Sequence, residues 1–322
     1  MKAVLWFVLA FALIVGALFL LGPYEDSDLS ASFDASALEG GVARHFAMRE
    51  AGFGDITPGV EKQVLWAGEP EAKTDWSILY LHGFSATAQE IRPVPDRVAE
   101  GLGANLVFTR LAGHGRGGQA LAEATVADWM ADVAEGLAAA RAVGERVLIL
   151  STSTGGTLAA AAAVDAELSR DVAGIVLISP NFGIQNPLAP LLTFPAARSW
   201  LPTLAGAERS FEPRNEGQGQ YWTTRYPSVA VLPMAALVKE VAALDLGQTE
   251  IPALFIFSPD DTVVRPDLTE ATAARWGGPV SILNPDLGPG DDPDAHVIAG
   301  DIMSPGQTEA TVQAILDWAE GL

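Results

Sequence analysis

Seven short apolar runs constrain the fold of this chain more than any other feature of its sequence. They occupy residues 64–67, 77–81, 105–109, 147–150, 175–178, 254–257 and 280–283. Each run has the length of a β-strand and lacks the alternation of polar and apolar residues that is typical of a half-exposed strand. Such runs indicate strands that are buried on both faces, as in a parallel sheet covered by helices.

Helical segments separate these runs. In the clearest of them, Val126, Met130, Val133, Leu137 and Ala140 recur at steps of four and three and therefore share one helix face. The alternation of strands and helices predicts an α/β fold, with a mostly parallel sheet and helices on both faces. A chain of 322 residues is long enough for one large domain of this kind with an insertion, or for two small domains.

One segment, about residues 187–246, interrupts this alternation. It contains no good strand, seven prolines and several aromatic residues. Because an insertion of this length in a compact domain is usually functional, we predict that it forms a partly helical lid over a site. Simple packing of the segment against the core is the alternative.

Overall charge and cysteine content exclude several classes of function. Lys and Arg number 19 against 40 Asp and Glu, which gives a net charge of −21. A surface this acidic repels phosphate backbones, so nucleic acid is not expected as a partner. The chain has no cysteine, which excludes disulfides, thiolate catalysis and Cys-ligated metals.

The N-terminal segment predicts attachment to a membrane. Residues 3–21 are apolar and uncharged, and as a helix they would extend about 28 Å, close to the thickness of a bilayer core. We therefore assign residues 1–22 to an uncleaved single-pass anchor, 23–59 to a stalk and lead-in segment, and 60–322 to the α/β domain. A cleaved signal peptide that releases a secreted protein is the alternative.

Charges on either side of the apolar run predict its orientation. Lys2 precedes the run, and Glu25, Asp26 and Asp28 follow it. Since the positive end of an anchor stays in the cytoplasm, the domain is expected on the outer side, which is the periplasmic side in a Gram-negative cell.

A serine lies at the junction between a predicted strand and a predicted helix. The strand 147–150 leads directly into Ser151-Thr152-Ser153-Thr154-Gly155-Gly156, and an Ala-rich helix follows. A tight strand–turn–helix with a central Ser is typical of a nucleophile elbow, where small neighbours are needed. Ser151 stands where the usual pattern has its first Gly. An ordinary capping turn is the alternative, and a phosphate-binding turn lacks its lysine.

Candidate partners for Ser153 follow it in the chain. Of the four histidines only His296 comes after Ser153, between the last predicted strand and the C-terminal helix. As a general base it would take the proton of Ser153. Asp261 follows the strand 254–257 and would orient His296, with Asp260 as the alternative acid. Three further carboxylates close to the histidine are Asp291, Asp292 and Asp294.

The turn His82-Gly83-Phe84-Ser85 follows the strand 77–81. At this position a backbone N–H can face the carbonyl oxygen of a substrate. We predict the N–H groups of Phe84 and Thr154 as an oxyanion hole, and a structural role for His82.

With these motifs the sequence resembles the α/β-hydrolase superfamily, and within it the serine hydrolases similar to carboxylesterases, monoacylglycerol lipases and lysophospholipases. Further motifs that carry the resemblance are Arg110-Leu111-Ala112-Gly113-His114-Gly115, Thr125-Val126-Ala127-Asp128-Trp129 with Asp132, Asp261-Thr262-Val263-Val264 and His296-Val297-Ile298. The resemblance covers residues 60–322. It implies an eight-stranded sheet, a lid after the sixth strand, no cofactor, a structural His114, and ester hydrolysis through an acyl-enzyme.

Several functions agree with these residues. The first is hydrolysis of carboxylic esters, with small-molecule or lipid-derived esters as substrates. Peptidase, thioesterase and lactonase activities would use the same Ser, Asp and His. A non-catalytic, membrane-tethered binding protein on the same fold is the alternative from another class. A metalloenzyme is disfavoured, because the chain contains neither His-Glu-x-x-His nor cysteine.

Overall fold

The computed structural model describes residues 2–322, which form nine strands and eleven α-helices. The strands are β1 (Gln63–Leu65), β2 (Thr74–Leu81), β3 (Asn105–Phe108), β4 (Gly144–Thr152), β5 (Val172–Ile178), β6 (Glu208–Ser210), β7 (Arg225–Pro227), β8 (Ala253–Ile256) and β9 (Val280–Leu283). The helices are α1 (Lys2–Leu21), α2 (Val42–Glu50), α3 (Val94–Leu102), α4 (Gly118–Glu123), α5 (Val126–Val143), α6 (Thr154–Ala163), α7 (Ala197–Ala205), α8 (Glu216–Tyr221), α9 (Val231–Ala243), α10 (Pro266–Arg275) and α11 (Thr308–Ala319).

A seven-stranded sheet in the order β1-β3-β2-β4-β5-β8-β9 forms the centre of the domain. All neighbouring pairs are parallel except β1 and β3. The predicted α/β fold with a mostly parallel sheet is confirmed, and each sheet strand overlaps one of the seven apolar runs. The carboxyl ends of β2, β4, β5 and β8 therefore meet at one edge of the sheet.

Both faces of the sheet are buried, which explains why the strands show no polar alternation. In β2, Leu79 and Leu81 pack into the core on one side, whereas Ile78 and Tyr80 pack into the core on the other. The first core also contains residues of α5, α6 and α9, and the second contains residues of α3 and α11. The predicted apolar face of α5 is buried along its length.

The eight-stranded sheet implied by the resemblance is wrong for residues 2–322, in which the central sheet has seven strands. The segment ahead of β1 forms the helix α2 instead of a further strand. Val42 and Phe46, one helical turn apart, are both buried against the first core. Helical spacing of these apolar residues allows the segment to bury them without pairing to the sheet. The lead-in segment thus packs onto the domain, with Leu29, Ala31 and Phe33 partly buried against the first core and Leu38 buried within it.

The insertion between β5 and β8 contains three helices and, contrary to expectation, two short strands. β6 and β7 form an antiparallel pair of three residues each, separate from the main sheet. Sequence patterns miss such strands because they are short and largely exposed. The last helix of the segment, α9, buries Leu232, Leu237 and Val241 in the first core. We refer to residues 187–230, which precede α9, as the covering segment.

Helix α1 projects its apolar surface outward. Its residues Val4–Leu21 have a mean hydropathy of 2.9, and none of this stretch is buried. By length and composition the helix is able to cross a bilayer, a property that membrane anchors share with signal sequences.

Candidate active site

Ser153 occupies the turn between β4 and α6. Its backbone has φ 51° and ψ −115°, a conformation that costs a residue with a side chain about 1–3 kcal/mol. Gly155 and Gly156 make this turn possible. A Cβ at Gly155 would lie 2.0 Å from the carbonyl oxygen of Leu81, and one at Gly156 would lie 2.8 Å from Cβ of Pro180. The turn therefore has the strained geometry and the small neighbours expected of a nucleophile elbow.

Ser151, which stands at the first Gly position of the usual elbow, fits without strain. Its side chain is fully buried and its hydroxyl donates to the carbonyl oxygen of Val176 at 2.8 Å. The departure from the usual motif is thus accommodated by a hydrogen bond to the neighbouring strand β5.

Three side chains from separate loops form a continuous hydrogen-bonded chain at the carboxyl edge of the sheet. His296 Nε2 lies 3.1 Å from Ser153 Oγ, and His296 Nδ1 lies 2.8 Å from Asp261 Oδ2. The other oxygen of Asp261 accepts the N–H groups of Val263 and Val264 at 2.8 and 2.9 Å. Asp261 is only 2% exposed, whereas the neighbouring Asp260 lies at the surface. The structure thus brings Asp261, and not Asp260, to His296.

The carboxylates near His296 have different roles. Asp292 accepts the backbone N–H groups of His296 and Val297 at 3.3 and 2.9 Å and so shapes the loop. Asp294 binds Arg214, and Asp291 binds Gln307. Burial lowers the pKa of His296, but the charges of Asp261, Asp292 and Glu90 outweigh this effect, and the pKa lies above the ordinary value of 6.5.

The turn after β2 is held in place by His82. Its Nε2 accepts the N–H of Leu111 at 3.1 Å, so the hydrogen is on Nδ1, which donates to the carbonyl oxygen of Gly83 at 2.9 Å. Burial lowers the pKa of His82 well below its usual range and keeps the ring neutral. In a trans peptide the C=O and the next N–H point in opposite directions. Fixing the Gly83 carbonyl therefore fixes the N–H of Phe84.

Phe84 and Thr154 both line the cavity that contains Ser153 and His296. Within residues 2–322 neither backbone N–H has a hydrogen-bond acceptor. The N–H of Thr154 lies in the first turn of α6, where the helix dipole favours negative charge. His114, in contrast, packs behind the turn against His82, with ring centroids 4.9 Å apart. Burial lowers the pKa of His114 to about 4.

A cavity of about 580 Å³ opens above Ser153. The covering segment supplies much of its wall, and this part is mostly apolar. It includes Leu188, Leu191, Leu192, Trp200, Leu201 and Phe211. Among the described residues, no group of three or more His, Asp or Glu side chains is placed to hold a metal ion.

Sequence reasoning missed one buried acidic group next to the site. Glu90 lies behind Gly83, 2% exposed, and its Oε1 accepts the N–H of Gly83 at 2.6 Å. No local pattern marks this residue, because a single carboxylate nine positions after a strand is common in surface loops.

Comparison with known proteins agrees with this architecture. The model of the alpha/beta hydrolase family matches residues 78–299, and the chain therefore belongs to that family and is a hydrolase by class. No curated protein sequence matches the chain.

Among solved structures, a metagenome-derived lipolytic enzyme is similar at 22% identity with a TM-score of 0.67, covering 83% of this chain and all of that one. A monoglyceride lipase of Saccharomyces cerevisiae shares 11% identity with a TM-score of 0.59, over 81% of this chain and 90% of its own. A monoacylglycerol lipase of Paleococcus ferrophilus shares 14% identity with a TM-score of 0.54, over 80% and 98%.

Proposed function

We propose that the protein hydrolyses carboxylic esters through an acyl-enzyme on Ser153. The observation that carries the proposal is the chain of hydrogen bonds from Ser153 through His296 to Asp261, at 3.1 and 2.8 Å, on the floor of a largely apolar cavity. The four elements of such a mechanism are a nucleophile, a base, an orienting acid and oxyanion donors, and each has a candidate here.

In the first half of the reaction, Ser153 Oγ attacks the carbonyl carbon of the ester while its proton passes to His296 Nε2. The carbonyl oxygen becomes an oxyanion and accepts the N–H groups of Phe84 and Thr154. Asp261 stays ionised and stabilises the imidazolium. The carbon–oxygen bond to the alcohol then breaks, and His296 returns the proton to the leaving alcohol.

In the second half, a water molecule attacks the acyl carbon and gives its proton to His296. The bond between the acyl carbon and Ser153 Oγ breaks, Oγ regains the proton, and the carboxylic acid leaves. The same geometry is compatible with thioesters, lactones and peptides, but an apolar wall favours substrates with an acyl chain. The lipolytic and monoacylglycerol lipase activities named for the similar structures support an acyl substrate by analogy of fold.

Labelling with a fluorophosphonate tests this proposal. We expect the purified protein lacking residues 1–22 to form one adduct, mapped to Ser153 by mass spectrometry, and His296→Ala to lose it. The wild type should also hydrolyse a series of p-nitrophenyl esters, with a thioester, a lactone and a peptide as comparisons. A folded protein that is neither labelled nor active on any of them would contradict the proposal and favour the non-catalytic binding protein.

We further propose that α1 is a membrane anchor and that the cavity opens toward the bilayer. The end of α1 touches the covering segment, with the rings of Phe19 and Phe194 5.3 Å apart. The N–H of Ala196 donates to the carbonyl oxygen of Pro23 at 2.7 Å. Leu188 lines the cavity, is 65% exposed, and precedes the short helical turn that ends at Phe194. An anchored protein with this arrangement would hold its apolar rim close to lipid.

The charge distribution supports this orientation. Residues 187–230 carry four basic and three acidic side chains, whereas the whole chain has a net charge of −21. The covering segment is thus repelled less by anionic lipid headgroups than the rest of the surface.

Leu188→Asp in the full-length protein tests the orientation. An aspartate at the rim must be desolvated on contact with a bilayer, so we expect hydrolysis of a long-chain ester in phosphatidylcholine vesicles to fall about tenfold. Hydrolysis of a soluble acetate ester should change by less than about twofold, since Leu188 is an exposed residue of the rim. Met48→Asp is the control, because Met48 is 58% exposed on α2, outside the cavity wall. Equal loss in both variants, or on both substrates, would rule out the orientation.

A further inference from the structure

Glu90 connects the two backbone turns that flank the candidate nucleophile. Its Oε1 accepts the N–H of Gly83 at 2.6 Å and the hydroxyl of Tyr80 at 2.8 Å. The Tyr80 hydroxyl lies 3.0 Å from Oγ1 of Thr152, the residue that precedes Ser153. One carboxyl group is therefore bonded to the oxyanion turn and, through Tyr80, to the end of β4.

Packing around Gly83 places this carboxyl group next to the nucleophile. A Cβ at Gly83 would lie 2.9 Å from Glu90 Oε2 and 3.2 Å from Cβ of Ser153. Gly83 is thus enclosed between Glu90 and Ser153, and any movement of the Glu90 side chain changes the support of the turn that carries the Phe84 N–H.

Burial of this carboxyl group is costly, because no Lys or Arg pairs with it within residues 2–322. Burial raises the pKa of Glu90 to about 7, against the opposing hydrogen bonds from Gly83 and Tyr80 and the charge of His296. A buried carboxyl group that has no charge partner and is bonded to the turn beside Ser153 is better explained by positioning than by stability.

We propose that Glu90 is a positioning residue for the reaction on Ser153: it holds the Gly83–Phe84 turn in place to receive the oxyanion, and its negative charge favours the protonated form of His296. This inference rests on the proposed function. Glu90 is bonded to Tyr80 and Gly83, and Thr152 is bonded to the Tyr80 hydroxyl. The other charged groups around His296 are Asp261 and Asp292, with Arg214 and Asp294 paired beside them.

Two substitutions distinguish the hydrogen-bonding role of Glu90 from the role of its charge. Glu90→Gln keeps an oxygen that accepts both hydrogen bonds but removes the charge. Glu90→Leu removes the hydrogen bonds as well. Positioning of an oxyanion donor acts on the transition state more than on substrate binding, so its loss lowers kcat rather than raising KM.

Steady-state kinetics of the full chain on a p-nitrophenyl ester, measured from pH 5 to 9, test the proposal. For Glu90→Gln we expect kcat at the optimum within about threefold of wild type and an acidic limb of kcat/KM shifted to lower pH, because His296 loses a charge that favours its protonation. For Glu90→Leu we expect kcat to fall about 10–100-fold with KM changed less than about threefold. Glu145→Gln, which removes an exposed carboxylate of β4, should leave the profile unchanged.

Outcomes of this experiment separate the inference from the function on which it rests. An acidic limb that stays in place in Glu90→Gln, together with undiminished kcat in Glu90→Leu, would overturn the positioning role while wild-type turnover still supports the hydrolase. If Glu90→Leu does not fold, the position of the acidic limb of the kcat/KM profile in Glu90→Gln still tests the positioning role. A wild type with neither turnover nor fluorophosphonate adduct contradicts the proposed function itself.

Discussion

Replacing Asp261 by Asn is expected to lower kcat for ester hydrolysis by about 10⁴-fold with little change in fold. The Asp261 carboxylate is bonded to His296 Nδ1 at 2.8 Å and to the N–H groups of Val263 and Val264. In the variant, the remaining oxygen of the amide is expected to stay with these two N–H groups, and its NH₂ then faces His296. That NH₂ donates to Nδ1 and forces the hydrogen onto Nε2, where the ring no longer accepts the proton of Ser153.

Asp260→Asn provides a closely matched control. The residue is adjacent in sequence and carries the same group, but it lies at the surface and has no side-chain bond to His296. We expect its kcat within about twofold of wild type, as for an ordinary surface substitution. Steady-state or stopped-flow assays at the pH optimum measure kcat for Asp261→Asn and Asp260→Asn. A large loss in Asp260→Asn with activity retained in Asp261→Asn would reverse the assignment of the acid.

The strands of the central sheet could be predicted from the sequence because both faces of the sheet are buried. Continuous apolar runs such as residues 147–150 arise where neighbours on a strand pack into opposite cores, as Leu148 and Ile149 do. The missing eighth strand could not be predicted in this way. Residues 42–50 have neither a strand pattern nor a strong helical one, and their helix depends on burial of Val42 and Phe46 against α5.

The order of the motifs in the sequence was enough to predict that Ser153, Asp261 and His296 lie at the same edge of the sheet. Parallel strands carry their carboxyl ends to one edge, so the residues that follow β4, β8 and β9 lie along the same edge whatever their separation in the chain. The sequence could not decide between Asp260 and Asp261 on physical grounds. That choice depends on the backbone of residues 261–264, where two N–H groups turn toward one carboxylate oxygen.

Glu90 shows what such patterns cannot reveal. Its partners are a backbone N–H and a tyrosine hydroxyl, and both become partners only when the loop after β2 folds back and brings Glu90 to Tyr80 and Gly83. The residue types in the segment 86–93 do not predict that Glu90 is buried or which groups it bonds. A supporting residue of this kind is therefore found from coordinates, whereas a nucleophile in a constrained turn is found from sequence.

Gly155→Ala is expected to lower the free energy of unfolding by about 3 kcal/mol, although alanine is the better helix former by about 1 kcal/mol. The added Cβ would lie 2.0 Å from the carbonyl oxygen of Leu81 and 2.9 Å from that of His82. Both are backbone atoms of the strand end that leads into the oxyanion turn, so they yield only if β2 and α6 separate. That separation moves the N–H groups of Thr154 and Phe84 apart, and kcat should fall together with stability.

Chemical denaturation and ester hydrolysis of the same preparations measure the two effects of Gly155→Ala. Gly54→Ala is the control, since Gly54 has no heavy atom within 4 Å of an added Cβ and should change stability by less than about 0.5 kcal/mol. If Gly155→Ala were as stable and as active as Gly54→Ala, the close approach of α6 to β2 could not be what fixes the elbow. The strained backbone of Ser153 would then need another cause. Loss of activity without loss of stability would instead show that the helix shifts as a unit, since a rigid displacement of α6 keeps its core contacts while it moves Ser153 away from His296.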